Sequence, residues 1–327
     1  MISESLKKDI EAIFCDPLNL NGSLKFKWDN SNNLITLHNK KRKFYSVIDN
    51  VISFEEGKNY TDNFGDQWLR FNKTQLDSYN KTRISENRFF LSTGWNKNLL
   101  KDKLLLDIGC GSGRFSEIAL KYGAKVIAVD LSDAVYAANK NFRDNQNFLV
   151  IKCDISKLPF IKESFDYILC LGVLQHTEQV EKSFKGLVKF LKKEGKICAD
   201  FYPKDIFALL SLKYIIRIIT RKLDNKKLYN IIYKSHPLLY KISDSLSRVP
   251  ILGFLLKRII PIANYRNVYN LNENQLKEWS LLDTYDMLAA KYDYPQNKST
   301  VMNWAKEKKL KKIKIFRKGH LILRAQK

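Results

Sequence analysis

Between Leu104 and Phe201 short apolar runs alternate with stretches whose apolar residues recur at helical spacing. The runs are LLLDI (from Leu104), AKVIAV (124–129), FLVIKC (148–153), YILCL (167–171) and KICADF (196–201). Each is strand-length and ends at an acid, a glycine or a polar turn, as strands buried on both faces do. Strand and helix in regular alternation predict an α/β fold, a parallel sheet with helices on both faces. Upstream, LKFKW, NLITLHN and KFYSVIDNVISF are shorter alternating patches broken by Asn, Asp and Gly, which predict a small β unit. Downstream, 205–297 reads as a helical insertion, followed by a helix at 299–308 and two strands at 311–316 and 321–325.

This gives five segments: a β appendage (1–58), a segment dense in aromatics (59–100), the core (101–204), the insertion (205–297) and the last helix with its strand pair (298–327).

The chemistry centres on the first run. Asp107 is followed by Gly109, Gly111 and Gly113, alternating with Ile108, Cys110 and Ser112. Glycines suit a tight turn that a ligand approaches closely, and the helix behind it (115–122) begins with N–H groups facing that turn. A dinucleotide fingerprint needs glycine at the first, third and sixth places; from Gly109 the sixth is Arg114, so the pattern fails. A carboxylate at Asp107 would also repel a pyrophosphate. S-adenosylmethionine (SAM) has no phosphate, and its ammonium would welcome that acid. Asp130 closes the second run about 20 residues on, the spacing that brings an acid to ribose hydroxyls.

At these residues the chain resembles the class I SAM-dependent methyltransferases, and DISKLPFIKESFDYILC (154–170) is similar to their type-11 subfamily. The resemblance implies a Rossmann-like, seven-stranded sheet with SAM as cofactor. Its cofactor-binding residues would be Asp107, Gly109, Cys110, Gly111, Gly113, Asp130, Leu131 and Leu171, with Asp154 and Ile155 at the adenine. In that family the segment before the first strand covers the cofactor. Tyr60, Phe64, Gln67, Trp68 and Arg88 would then enclose SAM or receive its carboxylate, or else pack the N-terminal helices. The 1–58 pattern, with Cys15 in front of it, resembles zinc-ribbon modules that have lost their metal.

After the fourth run comes GVLQHT, which places His176 at the edge where open α/β sheets bind ligands. His176 is a candidate general base for a hydroxyl acceptor, or a residue that orders the loop. In the insertion Lys213, Arg217 and Arg221 form a basic stripe opposite Ile206, Leu209, Leu210, Ile216 and Ile219, and VPILGFLLKRII carries Lys257 and Arg258. The insertion would cap the substrate. Asp283, Tyr285, Asp286 and Tyr292 at its end suit a hydroxyl-rich ligand, or cap helices. NYTDNFGDQW and LDTYDML resemble bacterial methyltransferases encoded with polysaccharide-assembly genes, which implies O-methylation of a small molecule, glycan or lipid-linked sugar.

Composition narrows the field. The 327 residues are 45% hydrophobic and 12% aromatic, a globular make-up. The formal net charge of +23 fits an anionic membrane face or nucleic acid, or reflects Lys- and Asn-rich coding drift. An RNA methyltransferase would need a recognisable RNA-binding module, and none is legible; nor does an Asn/Asp-Pro-Pro-Tyr string of amino-group methylators follow the fourth run. DNA is not an expected partner. A non-catalytic protein at a membrane surface is the third reading. The five cysteines form no C-x-x-C pair, so no metal site is expected and a reducing compartment is. No signal pattern opens the chain and no run reaches the ~18 residues of a span, so a cytoplasmic protein is expected.

Overall fold

The computed structural model describes residues 2–17, 19–31, 33–41, 43–55, 57, 59–204, 212–247, 249 and 260–327. Its core is the predicted parallel sheet: β6 (Leu104–Ile108), β7 (Lys125–Asp130), β8 (Phe148–Lys152), β9 (Phe165–Cys170) and β10 (Leu191–Phe201). The terminal pair β11 (Lys311–Lys318) and β12 (His320–Gln326) completes it, in the order β8-β7-β6-β9-β10-β12-β11. Only β12 runs antiparallel to β10, pairing Asp200 with Ile322 and Phe201 with Leu321.

Side chains alternate across this sheet as period two requires. Leu104, Leu106 and Ile108 face one core, with Ile127, Val129, Ile197 and Ala199. Leu105, Val126, Ala128, Cys198 and Ile322 face the other. The first core is covered by α1 (Glu4–Ile13), α7 (Val180–Leu187) and the helix Lys298–Glu307; the second by α4 (Ile84–Thr93), α5 (Arg114–Lys121) and α6 (Ala134–Phe142). Asp107 and Asp200 share the parity of Leu105 and Cys198, so both carboxylates point toward α4 and α5.

The N-terminal segment differs from the expected appendage. Helix α1 precedes the strands, capped by the Ser3 side chain, and buries Leu6 and Ile10 in the main core. Strands β1 (Cys15–Asp16), β2 (Asn19–Trp28), β3 (Leu34–Asn39), β4 (Phe44–Ile48) and β5 (Val51–Ser53) form a meander. Its last strand pairs parallel with β8 through Ile52 and Ile151, so the meander extends the central sheet to twelve strands. Cys15 is buried, and among the described residues no group of three or more His, Cys, Asp or Glu could hold a metal.

Two members of the insertion's basic stripe turn inward, while Arg221 is exposed and Ile216 packs against a core cluster. On the helix Leu212–Thr220, Arg217 is buried and donates to the carbonyls of Met287 (2.7 Å) and Ala290 (2.7 Å). Lys213 turns inward toward Asp293, 3.7 Å away. Ile215, Ile218 and Ile219 are 62%, 56% and 67% exposed. Periodicity shows which residues share a face; here the last turn of the helix Glu273–Ala289 leaves carbonyls that a guanidinium satisfies, so Arg217 points in. Ile206, Leu209, Leu210, Lys257 and Arg258 lie outside the described residues.

Candidate functional site

The carboxyl ends of β6 to β10 open into a cavity of about 470 Å³, within the range of small-ligand sites. Each strand tip contributes: Gly109, Cys110 and Gly111 after β6, Asp130 and Leu131 at β7, Ile155 after β8, Leu171 and His176 after β9, Tyr202 after β10. The insertion closes the far side with Lys213, Tyr265, Trp279, Asp283 and Asp286.

The glycine turn is held from beneath. Gly109 and Cys110 donate to the Val129 carbonyl at 2.7 and 3.0 Å, and Gly111 donates to Asp130 Oδ2 at 3.0 Å. These N–H groups are therefore spent on the neighbouring strand, and what the turn offers a ligand is bare backbone. Gly111 has φ +54°. Asp130 also accepts from the Ser132 N–H (2.9 Å) and hydroxyl (2.7 Å), which fixes its carboxylate at the cavity wall. Burial raises its pKa, against those hydrogen bonds.

Asp107 sits behind this wall, one residue before the end of its strand. It accepts from the Ser116 hydroxyl on α5 at 2.7 Å and is buried outside the cavity lining. Burial pushes its carboxyl up to about 7, with Ser116 opposing and Asp130 adding.

Tyr60, Phe64, Gln67 and Trp68, on and before α2 (Asp62–Arg70), line the cavity, as does Arg88 from α4. Gln67 Oε1 is buried with no protein partner. Arg114 also lines the cavity: Nε donates to Ser85 Oγ (2.9 Å), Nη1 donates to Gln75 Oε1 (2.9 Å), and Nη2 is buried and unpaired. Burial, with Arg88 nearby, lowers its pKa to about 10. Unpaired buried polar atoms on a cavity wall mark where a polar ligand completes the bonding.

Asp283 is the hub of the insertion's side. It accepts from Tyr265 Oη, from Trp279 Nε1 (3.1 Å) and from Gln75 Nε2 (3.3 Å). Burial raises its carboxyl to about 6, Tyr265 opposing and Asp286 adding. His176 donates from Nδ1 to the Tyr292 carbonyl (2.8 Å), leaving Nε2 as the ring's acceptor. Tyr292 thus reaches the site by its backbone; its hydroxyl donates to Glu178.

Of the residues expected from the sequence, Gly109, Cys110, Gly111, Asp130, Leu131, Ile155, Leu171, Arg88, Trp68, His176, Asp283 and Asp286 line one cavity. Asp107, Gly113, Asp154, Tyr285 and Tyr292 are outside its lining. Gly113 is the left-handed N-cap of α5, Asp154 accepts from the Ser156 N–H, and Tyr285 is buried against Tyr229. Sequence reasoning missed Asp200, Tyr202, Arg114 and His320. Asp200 was recoverable, since it closes a parallel strand at the ligand edge; His320, at a hairpin 120 residues further on, had no local signal.

Residues 106–199 match the family described as "Methyltransferase domain", type 11. The chain is 28% identical to the ubiquinone biosynthesis O-methyltransferase of Coxiella burnetii over 128 residues, 37% of this chain and 55% of that one. It is 32% identical to the Pelagibacter ubique enzyme of the same name over 124 residues, 36% of this chain and 51% of that one. The chain thus spans about half the length of these curated relatives. The crystal structure of magnesium protoporphyrin IX methyltransferase from Synechocystis PCC 6803 aligns with 82% of this chain and 96% of that one, at 16% identity and TM-score 0.44.

Proposed function

We propose that this chain, which carries a methyltransferase domain of the type-11 family, is a SAM-dependent methyltransferase that methylates a hydroxyl of a small-molecule, glycan or lipid-linked sugar acceptor. The observation that carries the reading is the pairing of Gly111 with Asp130: a bare-backbone turn hydrogen-bonded to a carboxylate, both on the wall of one cavity.

The residues present fit the cofactor. Asp130 would accept from the ribose hydroxyls, Leu131 and Ile155 would flank the adenine, and the orphaned Arg114 Nη2 and Gln67 Oε1 would meet its polar end. When bound, SAM supplies an electrophilic methyl group on a sulfonium. The chain's part is to hold the acceptor in line with that methyl, to exclude water and to receive a proton. Trp68, Phe64 and Tyr60 exclude water from one side, and Trp279 and Tyr265 from the other. His176 Nε2 is an acceptor for the substrate hydroxyl, and Asp283 and Asp286 would bind further hydroxyls. The names of the curated relatives support a hydroxyl acceptor.

Peripheral contact with an anionic membrane is supported by the exposed Ile215, Ile218 and Ile219 beside exposed Arg221, Lys222, Lys226 and Lys227. Among the described residues no helix is long and apolar enough to cross a membrane.

The test is transfer of labelled methyl from SAM into extract of cells lacking the gene, fractionated into RNA, protein, lipid-linked and water-soluble pools. Label in the lipid-linked or water-soluble pool supports the proposal. Label confined to RNA would replace it with an RNA methyltransferase.

A further inference from the structure

Asp200 is 1% exposed and carries three contacts that aim one imidazole at the cavity. Its Oδ1 accepts from the Gly172 N–H at 2.6 Å. Its Oδ2 accepts from Arg88 Nη2 at 3.0 Å and from His320 Nδ1 at 2.8 Å. This follows from the register of the sheet: Asp200 pairs with Ile322 across β10 and β12, and His320 is two residues away on the same face. Arg88 Nη2 also lies 3.4 Å from His320 Nδ1, but the carboxylate is nearer and Arg88 already donates to it, so Nδ1 carries the proton and Nε2 is left as acceptor. His320 lines the cavity, and among the described residues nothing hydrogen-bonds to its Nε2. The Tyr202 ring stands between two imidazoles, edge-on to His176 at 5.4 Å and to His320 at 5.3 Å, so both belong to one wall.

The two histidines differ in what backs them. His176 is oriented by a neutral carbonyl, which fixes its tautomer. His320 is oriented by a buried carboxylate, which also stabilises the imidazolium once it forms, with Arg88 and Gly172 keeping that carboxylate ionised. Resting on the methyltransferase reading, we propose that His320, positioned by Asp200, is the base that takes the proton of the acceptor hydroxyl, while His176 orients that hydroxyl. As the acceptor oxygen bonds to the methyl carbon, the carbon–sulfur electron pair returns to sulfur and the hydroxyl proton passes to His320 Nε2. The products are a methyl ether, a neutral thioether and an imidazolium paired with Asp200. Arg88 is then committed to Asp200 and forms a fixed part of the base's surroundings.

The first readout is independent of turnover. In nitrogen-15 histidine spectra of the full chain, with the His320 signal assigned by its loss in His320→Gln, the expected state is protonated at Nδ1 and free at Nε2. In Asp200→Ala, where nothing holds the Nδ1 proton, that single tautomer should give way to a mixture of both. The opposite tautomer in the wild type, or an unchanged single tautomer in Asp200→Ala, overturns the proposal. The second readout uses labelled SAM with the extract described above. His320→Gln should lose on the order of 100-fold in kcat with SAM affinity held within twofold, and His176→Gln less than tenfold. Asp200→Ala should lose kcat on the same scale as His320→Gln, with SAM affinity again held within twofold. Full turnover by His320→Gln, or a larger loss in His176→Gln, overturns the assignment. Wild-type protein that binds SAM but labels nothing sinks the methyltransferase reading alone, and the tautomer in wild type and Asp200→Ala still decides how His320 is held.

Discussion

The indole of Trp68 lies against the bare Cα of Gly111: a Cβ there would stand 2.9 Å from both Cε2 and Nε1 of the ring. The covering helix α2 therefore packs on the glycine turn itself, and the cavity roof and its floor depend on one another.

Gly111→Ala should consequently fail twice. The residue sits at φ +54°, where an L side chain costs about 1–2 kcal/mol, and the new methyl displaces Trp68 from the roof. SAM affinity by calorimetry should fall at least about tenfold and the unfolding temperature by several degrees. Wild-type affinity in the variant would mean that Trp68 and the turn do not share the cofactor site.

Asp130 works on two sides. It braces the turn through the Gly111 N–H and faces the cavity with the rest of its carboxylate. Asp130→Ala should weaken SAM binding by about 10–100-fold, in line with about 1.5–3 kcal/mol for a hydrogen bond to a charged group. Asp107→Asn, behind the wall, should change affinity much less than Asp130→Ala. The reverse ranking would move the cofactor to the Asp107 side.

Buried acids also set a pH dependence. Asp107 is raised to about 7 and Asp283 to about 6, both above the ordinary carboxylate value near 3.9. Between about pH 4 and 7 the folded state therefore binds more protons than the unfolded chain, so stability falls as pH rises through that window. The lowered Asp200 and Glu86 act oppositely below about pH 4, and His236, held down to about 4 by burial, offsets part of the fall between about pH 4 and 6.5. Denaturant titrations at pH 5, 6, 7 and 8 should show the unliganded protein losing stability up to about pH 7. Asp107→Asn should flatten most of that fall. An unchanged slope in the variant would show that Asp107 is ionised throughout.

The sheet was legible because buried parallel strands write themselves as apolar runs, and each predicted run from Leu104 to Phe201 became a strand. Asp107 and Asp130 share the sheet face of Leu105 and Val126, and depth separates them: Asp130 ends its strand at the cavity, while Asp107 lies inside β6 and bonds to Ser116. What was not legible depended on partners distant in sequence. Nothing near Val51 announces that it extends the sheet beside β8, and nothing near His320 announces Asp200. The orientation of the insertion's basic stripe was not legible for the same reason, since spacing defines a face and its neighbours decide which of its residues turn inward.

Arg217 makes that last point testable. A surface stripe would tolerate its loss, because exposed charges contribute ~0–1 kcal/mol. Here Nη1 and Nη2 each donate to a carbonyl, of Met287 and Ala290, that closes the helix Glu273–Ala289, and the side chain is buried. Arg217→Met fills similar volume but leaves both carbonyls unpaired, at about 1–3 kcal/mol for each unsatisfied group. That helix bears Trp279, Asp283 and Asp286 on the cavity wall, so loosening its end should reach the acceptor side before the cofactor side. The expected result is a loss of about 2–5 kcal/mol in denaturant unfolding, with earlier hydrogen exchange at 284–290 and SAM affinity changed by less than about threefold. Arg221→Met, on the exposed side, serves as the control and should be near neutral. Equal effects from the two substitutions would remove the argument that the insertion is pinned to the site by its arginine.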